Sequence, residues 1–421
     1  MRALRARCVR QGRTPLSTPR YAVEDNVSFV LHRETVELSA KPTEGASVRR
    51  TQAEAFSTRT LRWLGLGAAA LCLALAALAA TQAAARGAKP IEVRVVIVST
   101  WEVEKNGHDI LGELHAWRTR WPMATQFDFP AGFHPLQYDP KTHVLAVMTG
   151  MATARAAASI MALGLDPRFD LTHAYWIVAG TAGVDPAVGS AGSAAWARWV
   201  VDGDLAQELD PRDAPADWPT GIVPYGRTAP YQTPAPPGLS ETANVAFALN
   251  RGLADWAYAR SKGVALGDDA NLQHMRAPYA GAAARPPFVF EGDGLMSARN
   301  WYGEQLNQWA RRWVGYWTAG QGTFAMSAEE DTGIMQALSQ LAGAHRAALD
   351  RVLILRAASD YTVGPPGMTA AAFLEKEVHE SFPATPEALE TLYRVAEPVA
   401  RTLAGDWRRT REHVPSGAAA Q

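Results

Sequence analysis

Six carboxylates in this chain follow strand-like runs at the point where the sequence turns polar. Glu102 and Glu104 come after the run at 91–98 (IEVRVVIV). Glu329, Glu330 and Asp331 come after Phe324-Ala325-Met326-Ser327-Ala328. Asp360, preceded by Ser359, comes after Val352-Leu353-Ile354-Leu355. In open α/β sheets, ligands bind outside the carboxyl ends of the strands, so groups placed there converge on one crevice. Carboxylates assembled in this way serve reactions with an oxocarbenium-like transition state. One protonates the leaving group, another activates water and a third orients hydroxyls. Each group also has an ordinary structural use. Acidic residues suit the first turn of a helix, and Asp360 could cap a turn.

The elements that must carry these groups read as an α/β pattern. Three apolar runs, 91–98, 144–148 (VLAVM) and 175–178 (YWIV), precede glycine-bearing or polar turns and then helical sequence. A fourth, 352–355, has no alternation of polar and apolar residues, as in a strand covered on both faces. Strands alternating with helices predict a central, largely parallel or mixed twisted sheet flanked by helices. A helix is expected to follow the first strand to about residue 120, and others to cover 240–261, 327–348 and 385–403. A strand-like stretch covers 193–201. The proline-rich segment 210–238 is expected to be an ordered surface excursion, and 406–421 a disordered tail.

The glycines at Gly150, Gly180, Gly183 and Gly292 are read as turns after strands, where backbone N–H groups can approach a ligand. None fits G-x-G-x-x-G or a P-loop, so neither a dinucleotide nor a nucleoside triphosphate is indicated.

With 41 basic and 42 acidic residues in 421, the chain has no charge bias that would suggest nucleic acid. Cys8 and Cys72, the two cysteines, both precede residue 86, so the body has no disulfide, thiolate nucleophile or cysteine metal site. The ten histidines lack ligand spacing, and no metal is expected. The fourteen tryptophans lie mostly in the body, where burial of aromatic surface is the ordinary explanation.

Residues 1–58 are polar and arginine-rich and read as an unstructured extension. Residues 59–87 combine a basic start, an apolar core and small-residue sites at Ala77-Leu78-Ala79 and Ala83-Ala84-Ala85, the pattern of a signal peptide. Because signal peptides ordinarily begin a chain, the true start is expected further in, near Val48. The body would then be periplasmic or secreted. The alternative is retention of the apolar run as a single membrane anchor, for which about 20 residues suffice.

Several segments resemble a known family in their order along the chain. Ile97-Val98-Ser99-Thr100-Trp101-Glu102-Val103-Glu104, Gly150-Met151-Ala152-Thr153-Ala154, Gly180-Thr181-Ala182-Gly183, Gly292-Asp293 and Arg356-Ala357-Ala358-Ser359-Asp360 are similar to the nucleoside phosphorylase and methylthioadenosine nucleosidase superfamily. Trp301-Tyr302-Gly303, Tyr316-Trp317 and the run from Phe324 to Gly333 more closely resemble the purine nucleoside permease family. The resemblance covers roughly 91–405 and implies a single phosphorylase-like domain over 88–405 that takes a purine nucleoside. It further implies that Asp360 protonates the departing base and Glu330 holds the ribose hydroxyls. Thr181, with Gly180 and Gly150, would line the sugar and nucleophile side, beside Ser359. Glu104 falls where the nucleosidases carry the carboxylate that activates water. Trp301, Leu295 and Met296 are candidates for contact with the base, and superfamily members are commonly oligomeric.

Two departures from the superfamily pattern bear on the nucleophile. Phosphorylases carry arginine two residues before the glycine that matches Gly180, where this chain has Val178. They also carry a Gly-Asp-Pro loop with arginine, where this chain has Trp101-Glu102-Val103-Glu104. A phosphate dianion needs forked cationic donors, so water is favoured over phosphate as co-substrate unless Arg155 or Arg356 supplies them. Glu329 stands where the family pattern has methionine, which alters the sugar contact. The expected function is hydrolysis of the N-glycosidic bond of a purine nucleoside without a cofactor. The alternative is a role in nucleoside uptake, either as a permease component or as a periplasmic nucleoside-binding protein.

Overall fold

The computed structural model describes residues 89–105, 108–233, 244–380 and 382–417. All of these belong to the unit Arg86–Gln421. The expectations for 1–58, for the apolar segment 59–87 and for both cysteines lie outside the described residues.

Four strands make the centre of a 12-stranded mixed sheet. Val144–Met148, Val95–Ser99, Tyr175–Val184 and Val352–Tyr361 lie side by side in that order, all parallel. Their alternating side chains feed two cores. Val96, Val98, Leu145, Val147, Trp176 and Ile354 face one core, which is completed by Ile160, Ile334 and Leu338. Val95, Ile97, Ala146, Ile177, Leu353 and Leu355 face the other, which is closed by Trp117, Leu392, Val395 and Val399. Apolar residues on both faces leave no solvated side, which explains the unbroken apolar runs.

The helices Thr153–Leu165 and Asp331–Gly343 cover the first face and pack closely, because glycine stands at the contacts. A Cβ on Gly333 would lie 2.3 Å from the Thr153 carbonyl oxygen, and one on Gly164 would lie 2.2 Å from Leu341. The 21-residue helix Thr385–Gly405 covers the second face.

The expected α/β class, with a mixed sheet flanked by helices, is what the chain forms, but several boundaries differ. The strand read as 175–178 runs on to Val184, and the one read as 352–355 runs on to Tyr361. Along the added length Arg356 pairs with Gly180, and small residues pair after it, Ala357 with Thr181 and Ala358 with Ala182. Gly180 and Gly183 are therefore strand residues rather than turns. After Ser99 the chain forms an antiparallel hairpin, Glu102–Lys105 with His108–Gly112, and only His115–Arg120 is helical. The stretch 193–201 forms two strands, Ala194–Trp196 and Trp199–Asp202. Residues 246–248 form a strand, and the helix expected from 240 begins at Arg251. The proline-rich excursion carries the strand Ile222–Pro224, and 234–238 lies outside the described residues.

Within the expected tail, residues 407–412 form a docked helix, Trp407–Glu412, and 418–421 lie outside the described residues. Arg351 donates to the carbonyls of Thr410 at 2.9 Å and Arg411 at 2.6 Å, and Trp407 is buried.

Candidate active site

The carboxyl ends of the four parallel strands share one edge of the sheet. The strand Phe324–Ala328 arrives there antiparallel to the end of Tyr175–Val184, pairing Met326 with Val184 and Ser327 with Gly183. This crossing delivers Glu329, Glu330 and Asp331 to the same edge. A cavity of about 390 Å³ opens there. Its walls include Thr181, Ser359, Asp360, Glu329, Glu330 and Arg356, with Trp301 and Tyr302 as aromatic surface.

Asp360 owes its aim to an irregularity in the strand. The register shifts between Ala358 and Asp360, so that Ala358 pairs with Ala182 and Asp360 with Gly183. Such a bulge re-aims a side chain without ending the strand. Gly183 leaves room for the carboxyl, since a Cβ there would lie 3.1 Å from Asp360 Oδ2. Ser359 Oγ donates to Asp360 Oδ1 at 2.9 Å. Burial pushes the Asp360 carboxyl up to about 6, with the Ser359 hydrogen bond pulling the other way.

Arg356 forms another side of the site, with four of its five N–H groups bonded. Its Nη2 donates to Glu330 Oε2 at 2.9 Å and to Asp331 Oδ1. Its Nε reaches Asp331 Oδ2 at 3.1 Å, and Nη1 donates to the Thr181 carbonyl at 2.9 Å. Asp331 and Glu330 hold the guanidinium charged against the desolvation that burial imposes. Gly180 makes this possible, because a Cβ there would lie 2.3 Å from Arg356 Nη1.

Glu113, which the sequence reading did not single out, lies behind Arg356. Its Oε2 accepts from the Thr100 amide at 2.6 Å and the Thr100 hydroxyl at 3.0 Å. Its Oε1 accepts from the Thr181 amide at 2.7 Å and hydroxyl at 3.2 Å. The Thr181 hydroxyl oxygen in turn accepts from Trp101 Nε1 at 2.9 Å. Burial pushes the Glu113 carboxyl up to about 7 against the pull of Arg356, and Glu330 adds to the rise. The only sequence signal was an acid flanked by leucines in Leu111-Gly112-Glu113-Leu114, and it was hidden by reading that stretch as helix.

Glu330 is buried, and its Oε1 accepts from the Ala152 amide at 3.2 Å. Glu329 is half-buried in the cavity wall. Burial, and then the neighbouring Glu330, push its carboxyl up to about 7. Trp301 packs edge-on against Trp309 with ring centroids 6.1 Å apart.

Other candidates are placed elsewhere. Gly150 adopts φ 83°, and a Cβ there would meet the Phe133 ring, while its neighbour Met151 faces the cavity. Glu102 is tied to Arg118 and to the Leu114 amide, which holds the hairpin to the helix His115–Arg120. The Glu104 side chain lies outside the described residues. Leu295 and Met296 are core residues. Asp293 gathers the amides of Arg198, Trp199 and Thr323, so Gly292-Asp293 anchors strands rather than substrate. Arg155 is exposed, bonded to the Met151 carbonyl, and is not part of the cavity wall. No cluster of His, Cys, Asp and Glu that could hold a metal ion occurs among the described residues.

Fold and site together define an α/β protein with a carboxylate-rich cavity at the ends of parallel strands. The sequence model of the purine nucleoside permease (NUP) family matches residues 92–415, and the chain belongs to that family. A probable purine nucleoside permease of Schizosaccharomyces pombe is 28% identical over 270 residues, spanning 63% of this chain and 76% of that protein. The purine nucleoside permease of Candida albicans is 29% identical over 274 residues, spanning 64% of this chain and 66% of that protein. Among solved structures, the 5'-methylthioadenosine/S-adenosylhomocysteine nucleosidase of Neisseria meningitidis aligns with TM-score 0.42 and 15% identity. That alignment covers 75% of this chain and 99% of that one. The futalosine hydrolase of Helicobacter pylori aligns with TM-score 0.43 and 11% identity, over 75% of this chain and 98% of that one.

Proposed function

We propose that the protein binds a purine nucleoside in this cavity and cleaves its N-glycosidic bond with water as the nucleophile. Nucleoside recognition is supported by the family and by the names its relatives carry. The cavity is of a size that takes a small ligand, and Trp301 and Tyr302 offer aromatic surface for a planar base.

The observation that carries the choice of water is the state of Arg356. Among the described residues of the cavity wall it is the only cation, and Glu330, Asp331 and the Thr181 carbonyl already occupy four of its five N–H donors. A phosphate dianion would have to compete with those carboxylates and would meet Glu329 and Glu113 beside them. The same negative surroundings suit the positive charge that develops on the sugar ring in the transition state.

On this reading, Asp360, its proton held more firmly by burial, donates to the departing base. Glu330, fixed on one oxygen by Arg356, receives sugar hydroxyls. The nucleophilic water donates to Thr181 Oγ, whose own proton points to Glu113. Glu113 thereby takes the place in the reaction that the family resemblance gave to Glu104.

The test is incubation of the purified protein with inosine, adenosine and guanosine, with and without phosphate. Free base and free sugar are expected in both conditions. A requirement for phosphate, with sugar 1-phosphate as product, would overturn the choice of water.

The permease name carried by the family and its relatives supports a second reading, delivery of nucleosides into cells. Among the described residues no helix is long and apolar enough to cross a membrane. We therefore propose that any such role is played by a folded body exported or anchored through residues 59–87. Cell fractionation tests the location. Uptake of labelled nucleoside by cells carrying the Asp360→Asn variant separates the two roles, since transport alone would not need the acid.

A further inference from the structure

Three carboxyls stand in the cavity wall, Glu329, Glu330 and Asp360, and the protein does not serve them equally. Glu330 accepts from the Ala152 amide on one oxygen and from Arg356 on the other. Asp360 accepts from Ser359. The Glu329 carboxyl accepts from no described residue and pairs with no described cation. Two positive charges reach it from a distance. Arg356 is bonded to Glu330, Asp331 and the Thr181 carbonyl instead, and Arg155 is exposed and bonded to the Met151 carbonyl.

The backbone at Glu329 is held from both sides. It follows the last residue of the strand Phe324–Ala328 and precedes Glu330, the residue before the helix Asp331–Gly343. Its carbonyl accepts from Thr153 Oγ1 at 2.8 Å, which ties it to the start of the helix Thr153–Leu165. Two like charges also reach the side chain, Glu330 and Asp204. Asp204 is itself held by Ser297 Oγ at 2.6 Å and the Ala298 amide at 2.7 Å, at the start of the segment that brings Trp301 and Tyr302 to the cavity. A half-buried carboxyl with acidic neighbours and no protein donor leaves its lone pairs for a ligand. A hydroxyl can satisfy them. A phosphoryl group cannot, and it would enter a wall of three carboxyls with one guanidinium N–H left to bind it.

We propose that Glu329 decides which sugars the cavity admits: it accepts a hydrogen bond from a free hydroxyl of the nucleoside's sugar and excludes a sugar phosphorylated at that position, so that the protein takes nucleosides and rejects nucleotides. This rests on the reading of the cavity as a nucleoside site and not on the cleavage step. Burial, and then Glu330, push the Glu329 carboxyl up to about 7. Above that pH the carboxylate repels a phosphoryl group. Below it the carboxyl keeps its proton, repels phosphate less and still accepts from a hydroxyl.

Equilibrium binding to the full chain tests the assignment, with Asp360→Asn as the parent so that the ligand is not consumed. The ligands are inosine, its 2'-, 3'- and 5'-deoxy forms and its 2'-, 3'- and 5'-monophosphates. One deoxy form should bind roughly tenfold more weakly than inosine, as for a hydrogen bond to a charged group, and the monophosphate at the same position more weakly still. Adding Glu329→Gln keeps an acceptor and removes the charge. That monophosphate should then gain roughly tenfold at pH 8, while the preference for the hydroxyl largely survives. The gain should shrink at pH 5.5, where Glu329 is itself neutral. Adding Glu329→Met, a side chain of similar length without a strong acceptor, should erase both preferences. Deoxy penalties unchanged in Glu329→Met, or no gain for any monophosphate in Glu329→Gln, would overturn the proposal. If the wild-type protein binds nucleosides without cleaving them, the cleavage reading fails while these ratios still decide the role of Glu329. If it binds none, both fail.

Discussion

Asp360→Asn keeps the size of the side chain and an acceptor for Ser359 while removing the proton that the departing base would take. General acid catalysis typically contributes about 10²–10⁴-fold, so turnover should fall by about that factor with KM little changed. Base release followed by chromatography checks it, and near-normal turnover would remove Asp360 from its role. Glu113→Gln is a harsher change. The carboxylate accepts from two amides and two hydroxyls, and an amide group would turn an N–H towards one of these donors. A buried donor left facing another donor costs about 1–3 kcal/mol. Both the denaturation midpoint and turnover should drop, whereas Glu102→Gln, in the Arg118 pair, should affect stability far more than turnover.

At this scale strand-to-polar transitions mark Ser359, Asp360, Glu329 and Glu330, while Thr181 and Trp301 come only from the family resemblance; all six stand in the cavity wall. The sequence hid Glu113 and Glu377, the latter buried on the helix Ala370–Glu380. Burial of an acid is a tertiary fact, and each lies in sequence that reads as an ordinary amphipathic stretch.

Among the elements, the strands Tyr175–Val184 and Val352–Tyr361 do most to shape the site, and their glycines can be tested. Gly180→Ala would place a methyl 2.3 Å from Arg356 Nη1, and the guanidinium cannot swing away without breaking its bonds to Asp331 and Glu330. Turnover should collapse in this variant, as read by steady-state kinetics. Gly333→Ala instead meets the Thr153 backbone carbonyl at 2.3 Å, between two helices. Overpacking of this kind costs about 1–3 kcal/mol, so the urea midpoint should fall, and helix separation rather than chemistry should suffer.

The sequence marked where these strands begin but not where they end. Valine and isoleucine announce a strand through their β-propensity, whereas Ala179-Gly180-Thr181-Ala182-Gly183 and Ala357-Ala358 do not. The two small-residue stretches are strands because they pair with each other, a condition local propensity cannot express. The hairpin at 102–112 was misread for the related reason that its apolar positions also fit a helical period.

Across the whole molecule, four acids beside or behind one cavity have carboxyls raised by burial: Asp360 to about 6, Glu113 and Glu329 to about 7, and Glu377 to about 8. In the unfolded chain each would ionise near the ordinary carboxylate range. A raised folded value means that the native state holds its protons longer. The stability these groups contribute is therefore complete below about pH 4 and is lost as pH rises through 6 to 8. Thermal melts should show a midpoint that falls across that window. Glu377→Gln, which removes the largest of the four shifts, should flatten the fall by an amount on the order of a few kcal/mol. A melting midpoint that rises from pH 6 to 8 would contradict the burial of these acids.

The committed guanidinium of Arg356 also has a thermodynamic consequence. A site that accepts phosphate conserves the energy of the glycosidic bond in a sugar ester and can run in either direction as concentrations shift. With Arg356 held by Glu330, Asp331 and the Thr181 carbonyl, the site proposed above has only water to offer, and the overwhelming excess of solvent draws the reaction one way. Cleavage here would act as a sink. The nucleoside concentration beside the protein would be kept low whatever base and sugar accumulated, and a gradient maintained in that way draws in more nucleoside.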